Sequence, residues 1–171
     1  DYGMAIELDA AGNIYIAGQT GSANFPVVNG YQTSLNGTGA DGFVSKFSPD
    51  GSTLLYSTFL GGTGWDSVID MKLKSTGEIC VAGFTMSSDF PTVNAIRDTG
   101  QGQEGFVTQF TLNGSALVFS TYLGGAREDF AHGLAMDGND NMYLTGWTAS
   151  DDFPTVNAYQ PVKSGDEYAT D

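Results

Sequence analysis

Apolar and polar residues alternate along this chain in short runs broken by Gly, Asp, Asn and Ser, and no window shows the 3.6-residue recurrence of a helix. AIELD at 5–9 alternates weakly and runs into the turn AAGN, then into the β-branched and aromatic stretch NIYIAG. A long polar loop holding Phe25-Pro26 follows, then GFVSKF at 42–47, the turn SPDGS and LLYSTFL at 54–60. Val, Ile, Tyr and Phe on one pleated face and Gly-Asn or Asp-Gly at the bends are strand and hairpin chemistry. The pattern predicts four strands, a to d, near 4–9, 13–19, 42–48 and 53–60, joined as a meander.

The same pattern returns twice. NIYIAGQT at 13–20 reappears as EICVAGFT at 78–85 and NMYLTGWT at 141–148. SANFPVVNGYQ at 22–32 reappears as SSDFPTVNAIR and SDDFPTVNAYQ, and DGFVSKFSPDGSTLLYSTFLGG at 41–62 reappears as EGFVTQFTLNGSALVFSTYLGG. Gly18, Gly83 and Gly146 mark a period of 65 and then 63 residues. Four antiparallel strands per repeat fit a radial blade better than a solenoid coil, which adds only one or two strands to a continuous sheet. The fold class expected is therefore all-β, a partial β-propeller of four-stranded blades, with 1–65 and 66–128 as complete blades and 129–171 as an incomplete third. Repeat three reaches Asp171 where strand c is due. Closed propellers take roughly 4 to 8 blades, so further blades or other chains are expected to complete the ring.

The combination of DFP, DGFV and YSTYLGG resembles the SBBP-type β-propeller repeat of bacteria and archaea, along the whole chain. Departures are small: Lys74 stands where Asp9 and Asp137 occupy the a–b turn, and Asn24 replaces the Asp of DFP. The resemblance implies a secreted or cell-surface module and carries no common catalytic residues to transfer.

Composition narrows the partners. The formal net charge of −14, from 20 acidic and 6 basic residues, disfavours nucleic acid and anionic lipid and favours cations or basic partners. Cys80 is the sole cysteine, which excludes an intrachain disulfide and a cysteine zinc site. No stretch approaches 18 consecutive apolar residues, so the sequence predicts neither a membrane span nor a signal peptide within itself.

Candidate chemistry is sparse. His132, the one histidine, falls where Met4 and Ile69 stand in the other repeats, so it reads as packing, and no catalytic residue is assigned. Cys80 aligns with Tyr15 and Tyr143 and reads as a buried apolar residue. DGNDN at 137–141 alternates like the start of a calcium loop, but the sixth-position Gly and the distal Glu are missing, so a hairpin turn is the better reading. No cofactor or metal is expected, with calcium conceivable but unsupported by a full motif. Asp1, Asp66 and Asp129 recur at the opening of strand a, after the glycine-rich d-to-a connectors, and Trp65 stands beside the second of them. These four are the candidate ligand-binding residues, weighed against the alternative that each carboxylate locks one blade onto the next. The loop between Pro and the acidic residue opening strand c varies in length, 15, 13 and 17 residues, and lies at the same blade end as the connectors. That face is the expected site for a protein or polysaccharide partner.

The function this predicts is a non-catalytic extracellular module for scaffolding, adhesion or protein interaction, located outside the cell or on its surface. The alternative is a glycan-binding propeller using the b–c loop face, and after it a propeller lyase or glycosidase, which would need an acid/base pair.

Overall fold

The computed structural model describes residues 1–163. They form ten strands and no helix: β1 Tyr2–Leu8, β2 Ile14–Thr20, β3 Asp41–Phe47, β4 Leu54–Leu60, β5 Asp66–Leu73, β6 Ile79–Thr85, β7 Glu104–Phe110, β8 Leu117–Leu123, β9 Asp129–Met136 and β10 Met142–Thr148. The sheets are β1-β2-β3-β4, β5-β6-β7-β8 and the pair β9-β10, all antiparallel and joined in sequence order as meanders. This is an open, partial β-propeller. Strand c of the third repeat, expected at Asp171, lies outside the described residues.

The glycine that marks the period has a steric cause. Strands β1, β5 and β9 each bulge opposite it, and a Cβ on Gly18, Gly83 or Gly146 would collide with the carbonyl oxygen of Tyr2, Ser67 or Phe130. Only glycine lets the bulged strand approach so closely.

Sheets stack face to face, and strict alternation divides each strand between two neighbours. In β6, Ile79 and Val81 join the cluster shared with the first sheet, with Tyr15, Val44, Tyr56, Leu60 and Met71, whereas Cys80 and Ala82 join Val107, Ala131 and Leu134 toward the third. The second sheet is thus buried on both faces. Outer faces differ: Tyr2, Met4, Ile6 and Leu8 of β1 are exposed, and Tyr143 is 56% exposed where its repeat counterparts Tyr15 and Cys80 are sealed.

The b–c loop is more ordered than its polar sequence suggests. After Phe25-Pro26 and Phe90-Pro91 the chain folds back along strand d, with bridges Val28↔Ser57, Gln32↔Phe59 and Val93↔Ser120, and so covers that edge. The bend uses an Asn in the left-handed region each time, at Asn29, Asn94 and Asn157, with φ of 51°, 50° and 52°. Phe25 packs on Phe43 and Phe59, and Phe90 on Phe106 and Tyr122, which anchors the loop.

Candidate functional site

Where one sheet meets the next, three segments converge: the connector after strand d, the b–c loop of the same repeat, and the Thr-x-Ser-x-Asp-Phe-Pro segment of the following repeat. Asp66 opens β5 and is sealed from solvent. It accepts hydrogen bonds from Gly62 N (2.8 Å), Ser87 Oγ (2.8 Å) and Thr85 Oγ1. Ser87 Oγ in turn accepts from Gly64 N, and Asp89 Oδ1 accepts from Thr63 N at 2.8 Å. The second junction repeats the design: Asp129 Oδ2 accepts from Gly125 N and Ser150 Oγ, and Asp152 Oδ1 from Ala126 N, each at 2.8 Å.

A second buried carboxylate completes each junction. Asp41, opening β3, is sealed, and its Oδ2 accepts from Asn36 N (3.0 Å) and Gln32 Nε2 (2.6 Å). A Cβ placed on Gly61 would stand 2.6 Å from Asp66 Oδ2 and 2.8 Å from Asp41 Oδ1, so the two carboxylates converge on one glycine. Burial pushes Asp41 up to about 6, and the neighbouring Asp66 and Asp89 charges add to that. Asp66 is also pushed up, chiefly by burial, against the pull of its hydrogen bonds. At the second junction Glu104 takes the place of Asp41, and Gly124 lies against Glu104 Oε2 and Asp129 Oδ2. Here Arg97 replaces Gln32, and its Nη1 stands 2.9 Å from Glu104 Oε2. Burial still raises Glu104, while Arg97 draws it back.

Above each glycine lies a groove. The first, about 480 Å³, is bounded by Tyr31, Gln32, Asn36, Gly61, Asp89 and Pro91. The second, about 430 Å³, is bounded by their counterparts, among them Ile96, Arg97, Gly124, Asp152 and Pro154. The framework is constant and the b–c loop residues differ.

The residues singled out in the sequence separate here. Asp66 and Asp129 are sealed from solvent and bonded to the connector and to the following Ser, the arrangement of the blade-locking alternative. Asp1 is exposed and accepts from the Thr20 and Ser22 hydroxyls in the same local pattern. Trp65 keeps 49% of its surface exposed while its Nε1 donates to Gln19 Oε1 of β2 at 3.2 Å. His132 is exposed too and stacks on Phe130 at 4.3 Å, beside Trp147 and Phe84. Cys80 is buried, which pushes its thiol up to about 12. Asp137 accepts from Asn139 N, Asn141 N and Asn141 Nδ2, an Asx-type turn that holds the carboxyl down at about 2. Asp41, Gln32, Glu104 and Arg97 were not anticipated. The one signal for them is the paired change of Gln to Arg and Asp to Glu between aligned repeats.

Antiparallel four-stranded sheets stacked in sequence order, tied by a recurring connector lock, define a run of β-propeller blades. The family profile described as "SBBP: Beta-propeller repeat" matches residues 118–154, and the resemblance read from DFP and YSTYLGG is borne out there. That stretch begins in β8, crosses the connector, takes in β9 and β10 and ends at Phe153-Pro154, so it holds Asp129, Ser150 and Asp152 of the second junction but not Arg97 or Glu104. No curated protein matches the chain.

Proposed function

We propose that the chain is a non-catalytic extracellular module for scaffolding, adhesion or protein interaction, which contacts its partner through the grooves on the b–c loop face. The observation that carries this reading is the pair of equivalent grooves: the same glycine, aspartate and proline at each, with Tyr31, Gln32 and Asn36 lining one and Ile96, Arg97 and Gln101 the other. Variable side chains on a fixed frame are how recognition surfaces are made. The exposed apolar faces of β1 and β10 are covered, in this reading, by further blades or other chains. The test replaces residues 27–40 with the shorter 92–103 sequence in the natural full-length protein. Loss of binding to the cell surface, with the fold kept, is the expected result, and unchanged binding would defeat the reading.

Glycan binding is the second reading, favoured by the half-exposed indole of Trp65 near the loop face, since such a ring can stack on a sugar. A glycan array probed with wild type and Trp65→Ala separates the two: saccharide binding that disappears with the indole would favour it.

A further inference from the structure

The two junctions differ in where their positive charge comes from. At the second, Glu104 is buried and Arg97 pairs with it from within the chain. At the first, Gln32 is neutral, and among the described residues no lysine or arginine pairs with Asp41, Asp66 or Asp89: Lys46 is held by Asp9, and Lys72 by Glu7 and Asp70. Asp41 is wholly buried and its Oδ1 has no hydrogen-bond partner. That oxygen lies against Gly61, and Gly61 also lines the groove, so one glycine separates the groove from the acid pair beneath it. Asp129 Oδ1 at the second junction also lacks a partner, but the acid beside it carries its own cation.

We propose that the first groove receives the guanidinium or ammonium end of a basic side chain from a partner protein, supplying from outside the charge that Arg97 supplies inside the second. The groove's other walls suit such a group. Asp89, exposed at the rim, offers a carboxylate, and Asn36, also exposed, offers an amide, while the Gln32 amide is held by Ser34, Asp41 and Gly61. The ring of Tyr31, 37% exposed, offers a π-face. The chain already makes that contact once, with Lys46 Nζ 4.7 Å from the centre of the Tyr15 ring. Its counterpart Ile96 at the second groove has no π-face, and Arg97 already occupies the acid there. An organic cation is preferred to a metal ion because, among the described residues, no three His, Cys, Asp or Glu side chains are arranged to hold one. The net charge of −14 attracts basic segments from a distance. This inference rests on the protein-interaction reading above and names the chemistry of the partner.

The test titrates Nα-acetyl-arginine amide into the 171-residue chain and follows the backbone amide resonances of Gly61 and Asn36. Nα-acetyl-citrulline amide, which keeps the shape and loses the charge, is the control. The decisive variant is Gln32→Arg with Asp41→Glu, which copies the pair the second junction already tolerates. Saturable shifts with arginine, at least tenfold weaker with citrulline and at least tenfold weaker in the double variant, are expected. Asp89→Asn, at an exposed position, should weaken binding by about threefold and guards against misfolding of the double variant. Equal shifts with citrulline, undiminished arginine binding in the double variant, or stronger shifts with calcium chloride than with arginine would each overturn the proposal. If arginine fails to bind while the loop graft still abolishes partner binding, this inference alone falls.

Discussion

At the first junction a glutamine reaches the carboxylate that opens strand c, while at the second an arginine does, and the carboxylate there is one methylene longer. Much around them is shared: the connector glycines, the Ser hydroxyl on the strand-a aspartate, and the Asp of the following Asp-Phe-Pro segment. The Thr hydroxyl is not, since Thr85 donates to Asp66 while Asp129 Oδ1 has no partner. The main contrast is the counter-charge of a buried acid pair. A buried carboxylate without a cation loses its hydration and regains little, which is a cost of several kcal/mol for a fully charged group. At the first junction burial raises Asp41 to about 6 with no cation to offset it, whereas at the second the Arg97 guanidinium draws Glu104 back.

The largest expected effect comes from filling the glycine between the acids. Gly124→Ala places a methyl against Glu104 and Asp129 and should cost more than about 3 kcal/mol, with Gly61→Ala somewhat less because its neighbours stand farther off. Urea unfolding of each variant measures this, and equal stability to wild type would refute the close convergence of the acids. Next comes Arg97→Gln, which strips the cation from Glu104 and should cost about 2 to 3 kcal/mol at neutral pH. Adding Glu104→Asp to it recreates the first junction and should restore much of the loss.

A smaller effect of opposite sign is expected at the first junction. Asp41→Asn removes the burial cost and points an amide toward Asp66, so it should stabilise by about 2 kcal/mol near pH 7.5. The pH dependence has a definite direction. Asp41, Asp66 and Glu104 are all raised in the folded chain, so the stability they lend is complete below the ordinary carboxylate range and fades as pH rises through about 6 for Asp41. Asp9, Asp50 and Asp137 are held down at about 2, so their contribution is lost only as pH falls toward that value. Tm should therefore rise from about pH 7.5 to about pH 5 and fall again under strong acid, and the rise should shrink in Asp41→Asn. Smallest of all, Ser87→Ala and Ser150→Ala should each cost about 1 kcal/mol, alike at the two junctions because their partners are the same.

These junctions also mark how far residue patterns reach. Period-2 runs and glycine turns placed all ten described strands within about three residues of their observed limits, because alternation and turn chemistry are local. The shared end of b–c loops and connectors was equally legible, since it follows from meander topology. The edge-covering role of the b–c loop was not, although Asn29, Asn94 and Asn157 are its trace. The locking role of Asp66 and Asp129 was legible from their recurrence after the glycine-rich connectors, beside the ligand-binding reading. The pairing of Asp41 with Asp66 joins positions in different sheets, and alternation says nothing about which acid faces which across a stack.

The central claim is that Asp41 is a buried acid with no cation of its own. A carbon-detected NMR titration of the Asp41 side-chain carboxyl, with and without Nα-acetyl-arginine amide, tests it most directly. The account predicts a midpoint near 6 that moves down when the arginine probe is added. A midpoint in the ordinary aspartate range near 3.8, unmoved by arginine, would contradict it.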